Sequence, residues 1–201
     1  MIKTLISAAL LSVAAGSVPA VAAPFNGPYL GVSAGWNRDD VARRTINGIT
    51  IDAGRTQDAV TLGGYAGYNK TLGKRFVIGG ELGFSGAIDD TIVGSAQGKA
   101  LEIDPRYSFD VSARAGVLAD AKTLIYARGG YANTRVRTSV ATTAGTAITS
   151  DNLDGWQVGG GIERSLTENV SARIEYRYSD FGSNGGRFDR HQALIGVSYN
   201  F

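Results

Sequence analysis

The chain has 201 residues, room for one ordinary domain or a domain with a leader, and too few for a multidomain enzyme. Glycine stands at 28, proline at 4 and cysteine at 0, with 43% hydrophobic residues, which excludes collagen-like, disulfide-scaffolded and disordered classes. A mean hydropathy of -0.04 excludes a helical membrane bundle, and 20 Lys and Arg against 18 Asp and Glu leave no cationic excess for nucleic acid.

Residues 1 to 22 read as a signal peptide. Lys3 is followed by the apolar run Leu5 to Ala15, then Gly16, Pro19 and the small residues Ala20-Val21-Ala22, a layout that predicts cleavage after Ala22. The run is shorter than the ~20 residues a spanning helix needs. The remaining chain, 23 to 201, is expected to be one domain held by packing and backbone pairing, since it has no cysteine to bridge.

From Tyr29 onward the pattern has period two, the signature of strands. Eight segments follow in order. Tyr29 to Asn37 sets Leu30, Val32, Ala34 and Trp36 against Tyr29, Gly31, Ser33 and Gly35; Ala59 to Tyr68 sets Val60, Leu62, Ala66 and Tyr68 against Thr61, Gly63, Tyr65 and Gly67. Phe76 to Gly86 opposes Phe76, Ile78, Leu82 and Phe84 to Gly79, Glu81, Gly83 and Ser85. Arg106 to Leu118 opposes the Tyr107, Phe109, Val111 series to Ser108, Asp110, Ser112 and Arg114. Thr123 to Arg135 alternates least cleanly, with Ile125, Ala127 and Tyr131 opposite Leu124, Tyr126 and Arg128. Gly155 to Arg164 puts Trp156, Val158 and Ile162 opposite Gln157 and Glu163, and Val170 to Ser179 alternates without error. Arg190 to Phe201 carries Ala193, Ile195, Val197, Tyr199 and Phe201 against Gln192, Gly196, Ser198 and Asn200.

The connections Asn69 to Arg75, Ala119 to Lys122 and Ser165 to Asn169 are short, whereas Arg38 to Gln57, Ala87 to Pro105, Val136 to Asn152 and Phe181 to Asp189 read as longer loops. That asymmetry belongs to an eight-stranded antiparallel up-and-down transmembrane β-barrel with short periplasmic turns and longer extracellular loops. The facing follows from charge. Glu81, Asp110, Arg114, Arg128, Glu163, Arg173, Glu175 and Arg177 share one face with many glycines, a set that cannot make an apolar core. The other face is apolar all round and fits lipid. Two aromatic belts are expected, Trp36, Phe84, Tyr107, Trp156 and Tyr178 at the long-loop end, and Tyr68, Phe76, Tyr199 and Phe201 at the short-turn end.

Three stretches carry a family resemblance: Gly155-Trp156-Gln157-Val158-Gly159-Gly160-Gly161-Ile162-Glu163, the run Ser171 to Gly182, and the ending Leu194-Ile195-Gly196-Val197-Ser198-Tyr199-Asn200-Phe201. With them the chain resembles the small eight-stranded outer-membrane β-barrels of Gram-negative bacteria, the porin-family, opacity-like proteins. The resemblance implies an integral outer-membrane location and an assembly signal at Ile195, Val197, Tyr199 and Phe201, read by the barrel assembly machinery. It implies an envelope-structural and surface-interaction role, with a narrow solute or ion channel as the alternative.

Counting from the short turns puts Glu81, Arg114, Arg128 and Glu175 at one height, with Glu163 and Arg173 slightly lower. These six are expected to form a lumen ion network, since unpaired charge in a confined interior is costly. Catalysis is not expected. His191 is the single histidine, points outward near the long-loop rim, and has no serine or carboxylate at a recognisable spacing. No cofactor or metal is called for. Gly63-Gly64 and Gly159-Gly160-Gly161 read as room for large neighbours. Arg38, Arg43, Arg44 and Arg55 with Asp39, Asp40 and Asp52 make the first loop charged in both signs, suited to lipopolysaccharide phosphates, and Ser139 to Ser150 reads as a mobile threonine-rich loop. Outer-membrane lipid and host or surface ligands complete the expected partners of a monomer.

Overall fold

The computed structural model describes residues 25–41, 44–46, 49–52, 55–88, 92–96, 99–142, 145–182 and 188–201. The expected leader, residues 1–22, and Arg43 lie outside the described residues, as do the side chains of Arg44, Asp52 and Arg55. Eight strands form the wall: β1 (Gly27–Val41), β2 (Arg55–Leu72), β3 (Phe76–Ile88), β4 (Lys99–Asp120), β5 (Thr123–Thr142), β6 (Gly145–Ser165), β7 (Val170–Asp180) and β8 (Phe188–Asn200). Each pairs antiparallel with its sequence neighbours, and β1 pairs with β8, so the sheet closes on itself and leaves no edge in hydrocarbon. Among the described residues no helix is long and apolar enough to cross a membrane. The strands make the crossing.

Alternation fixes the facing, because a slip of one residue would turn every apolar side chain inward. Leu30, Val32, Leu62, Ile78, Leu82, Val111, Ile125, Ile162, Ile174, Ile195 and Val197 all lie on the outer surface, while Glu81, Arg114, Arg128, Glu163, Arg173 and Glu175 are buried within. The fifth segment follows the same rule, with Leu124, Tyr126 and Arg128 inside and Ile125 and Tyr131 outside. At the short-turn end, β2 and β3 join through Gly73, whose φ of +63° is a backbone state that glycine adopts without strain. The β6–β7 turn is tied by Ser165 Oγ donating to the Thr167 carbonyl and by Val170 N–H donating to Thr167 Oγ1.

The other end departs from the expected loops. β5 and β6 stay paired from Thr123↔Arg164 up to Thr142↔Gly145, so within the expected loop Ser139 to Ser150 the described residues 139–142 and 145–150 are ladder. β4 begins at Lys99, and β1 and β2 pair out to Val41↔Arg55. Short strands Arg44–Ile46, Ile49–Asp52 and Ile92–Ala96 continue the sheet beside the upper part of β4. The physical reason is that backbone N–H and C=O groups seek partners whether or not the sequence alternates, so the ladder continues past Pro105, which is accommodated by a register irregularity between Pro105 and Tyr107.

Candidate functional site

The lumen is filled in layers. Nearest the short turns, Phe25 enters the barrel mouth and packs with Val77, Leu124 and Tyr126, with Leu118 beside them. Thr71 anchors this segment, its N–H donating to Asn26 Oδ1 at 3.1 Å and its hydroxyl to the Phe25 carbonyl at 3.1 Å.

Above it lies a cluster of four carboxylates and four guanidinium groups. Glu81 is the hub. It accepts from Arg173 Nη1 at 2.6 Å and Nη2 at 3.1 Å, from Arg128 Nη1 at 2.7 Å and from the Tyr29 hydroxyl at 2.8 Å, with Arg114 at 3.6 Å and Arg177 at 3.7 Å. Arg114 donates to Glu163 at 2.6 Å, and Glu163 also accepts from Ser171 at 2.6 Å. Arg128 also reaches Glu175 at 3.1 Å and Asp110 at 2.6 Å, and Arg177 bonds Glu175 and, at 3.3 Å, Asp110. The charges cancel, four against four, and each of the eight is buried. Such a set is tolerable in a low-dielectric interior only because every ion is paired with opposite charge.

The six residues singled out from sequence are thus all brought together: Arg114 sits closest to Glu163, and Arg173 and Arg128 take Glu81. Asp110, Arg177 and three phenols, placed on the lumen face by alternation but not in the expected network, complete it. Tyr29, Tyr65 and Tyr126 lie across the lumen, and each faces a glycine directly opposite in register: Gly67, Gly31 and Gly161. A Cβ on Gly31 would stand 2.3 Å from the Tyr65 ring, and one on Gly67 2.4 Å from the Tyr29 hydroxyl, so these glycines are the rings' seats. Arg173 stacks on Tyr65 at 3.5 Å and Arg114 on Tyr126 at 4.1 Å.

Toward the long-loop end, Gln192 donates to Asn37 at 2.9 Å, and a cavity of about 10 Å³ lies among Ser33, Thr61, Tyr65, Asp110, Arg177 and Gln192. That is at the lower limit for a single water. Higher still, Arg190 grips Asp39 through two bonds of 2.7 Å and meets Ser108 at 3.0 Å, below Phe181 and Phe188. Asp39, assigned from sequence to a charged loop, is therefore a lumen residue of β1. Alternation carries it inward two residues beyond Asn37.

The named aromatics all stand on the outer wall. Phe84 stacks on Tyr107 (5.9 Å), Trp156 meets Tyr178 (5.6 Å) and Tyr199 meets Phe201 (5.0 Å), while Tyr68, Phe76 and Trp36 are exposed. Tyr131, Phe109 and Tyr176 share this surface and were not singled out. Among the described residues no group of His, Cys, Asp and Glu is arranged to hold a metal ion.

A closed antiparallel eight-stranded barrel with a charged interior and an apolar exterior is an integral protein of the bacterial outer membrane. The sequence matches the family model for the outer membrane protein beta-barrel domain over residues 6–201, and the chain belongs to that family. It is 27% identical to the 31 kDa outer-membrane immunogenic protein of Brucella melitensis, over 88% of this chain and 84% of that one. Its fold is shared with Neisserial surface protein A (TM-score 0.55, 17% identity, 88% of this chain and 98% of the other). It is shared equally with the outer membrane protein OprG of Pseudomonas aeruginosa (TM-score 0.56, 14% identity, 90% and 99%).

Proposed function

We propose that this protein is a structural, non-conducting barrel that helps maintain the outer membrane and presents its extracellular hairpins at the cell surface. The observation that carries the reading is the filling of the lumen, from Phe25 through the eight-ion cluster and the Asp39–Arg190 pair to Phe181 and Phe188. Glycine-lined space that would suggest a pore is occupied by Tyr29, Tyr65 and Tyr126. Catalysis is not part of the proposal. The described contacts of His191 are the rings and hydroxyl of Tyr176 and Tyr178, which form no nucleophile and acid pair.

In this reading the barrel is monomeric. Its partners are membrane lipid, lipopolysaccharide and surface ligands at the hairpins, with the insertion machinery engaging Ile195, Val197, Tyr199 and Phe201 after a signal peptide of residues 1–22 is removed. The test is single-channel recording of refolded residues 23–201 in a planar bilayer. Silence from a barrel shown to be folded by heat-modifiable gel migration is expected. Regular small steps altered in Glu81→Ala and Arg114→Ala variants would instead make the protein a narrow channel.

A further inference from the structure

Outside the barrel, where β1, β8 and β7 meet at the long-loop belt, two basic side chains stand side by side. Arg38 of β1 is paired in register with His191 of β8, which is paired in turn with Tyr178 of β7. Residues directly opposed in an antiparallel sheet hold their Cβ atoms ~4.5–5.5 Å apart, so both heads reach a single anion. From this arrangement we infer a binding site for the phosphate of an outer-leaflet glycolipid, held between Arg38 and His191 and flanked by the rings of Trp36 and Tyr178. It deepens the reading above by naming the lipid chemistry of one face, and rests on it only in taking that face as membrane-embedded.

Depth places the pair at headgroup level. Ten residues of β8 separate His191 from Phe201 in the opposite belt, a run of roughly 33 Å along the strand that becomes roughly 25 Å of height at a tilt near 40°, the thickness of the apolar band. The pair therefore stands at the far boundary of the hydrocarbon from the short turns.

The side chains are set for an anion. Tyr176 Oη lies 2.6 Å from His191 Nδ1, and the Tyr178 ring packs 5.1 Å from the imidazole, so the ring is fixed and Nε2 remains for a ligand. The Arg38 guanidinium lies over Trp36 at 5.9 Å, and its Nε is 3.8 Å from Asp58, a long contact between half-exposed groups that leaves most of its donors to a second acceptor. Trp36, Tyr178 and, beyond it, Trp156 offer flat faces suited to the sugar rings that carry a glycolipid phosphate.

The experiment places the refolded barrel in neutral phosphatidylcholine nanodiscs and measures retention of purified lipid A with and without its phosphates, of phosphatidylglycerol, and of inorganic phosphate. Wild type, Arg38→Gln, His191→Gln, the double variant, and Arg164→Gln at the opposite rim are compared, each first shown folded by heat-modifiable migration. Phosphorylated lipid A is expected to be retained about tenfold more tightly than the dephosphorylated form, and the double variant to lose about that factor while Arg164→Gln loses nothing. Equal retention of the two lipid A forms, or an unchanged double variant, overturns the site. Preference for phosphatidylglycerol, or equal binding of inorganic phosphate, overturns the assignment to a glycolipid. None of these outcomes depends on whether the lumen conducts, so the two proposals fail separately.

Discussion

Removing the hub carboxylate tests whether the lumen cluster holds the barrel together. In Glu81→Ala the four arginines face three carboxylates, and Arg173 loses both of its bonds to Glu81 while Arg128 keeps Glu175 and Asp110. Breaking one partner out of a buried ionic set costs about 3–5 kcal/mol, because the charge left behind can neither pair nor hydrate. With an m-value near 2 kcal/mol/M, the urea midpoint of the refolded protein should fall by about 2 M. Tryptophan fluorescence reports the transition, since Trp36 and Trp156 leave the lipid-facing wall on unfolding. Arg173→Ala should cost a similar amount, and the double variant less than the sum, because the orphaned charge is removed. A Glu81→Ala midpoint no lower than that of Arg164→Ala, whose exposed contact to Asp120 spans 3.7 Å, would refute the reasoning and point to a hydrated lumen.

Further outcomes follow from other layers. Gly31→Ala drives a Cβ into the Tyr65 ring and should destabilise the barrel by about 1–3 kcal/mol, whereas Gly64→Ala, whose nearest neighbour lies at 3.7 Å on the outer wall, should be near neutral; equal urea midpoints would show that Tyr65 has room to move. Phe25→Ala should cost about 3 kcal/mol in the same titration and speed hydrogen exchange at Val77 and Leu124, and an unchanged protein would mean that the mouth is sealed without Phe25. At the β4–β5 turn, Lys122 N–H donates to Asp120 at 2.7 Å and Thr123 adds a second bond, so the carboxyl should titrate below an ordinary aspartate. The lowered value means that its contribution is present above the ordinary aspartate range and is lost as pH falls through the folded-state value. An NMR titration midpoint equal to that of an unstructured peptide would contradict the bond.

The membrane-spanning wall was legible because lipid on one side and a charged lumen on the other impose strict alternation, so Glu81 or Arg173 can be placed from sequence spacing alone. Height was less legible than facing. Arg177 and Asp110 sit a row above the predicted network, and it is the length of the arginine side chains that bridges the rows. The lumen tyrosines carried a readable sign, a bulky ring on the polar face opposite glycine, but it becomes specific only once register pairs Tyr65 with Gly31 and Tyr29 with Gly67. Beyond the membrane lipid no longer imposes alternation on the sequence, and Ser139 to Ser150 reads as a loop although the backbones of 139–142 and 145–150 are paired.

The unequal strand lengths shape what another macromolecule meets at the bacterial surface. β4, β5 and β6 run for 22, 20 and 21 residues, β7 and β8 for 11 and 13. At ~3.3 Å per residue and a tilt near 40°, the longer strands rise roughly 50 Å, about twice the apolar band, and the shorter ones little beyond it. Among the described residues the wall is therefore tallest along β4, β5 and β6. A large molecule approaching from outside meets the paired backbones of β5 and β6, which reach Thr142↔Gly145, before it meets the described ends of β7 and β8 at Asp180 and Phe188.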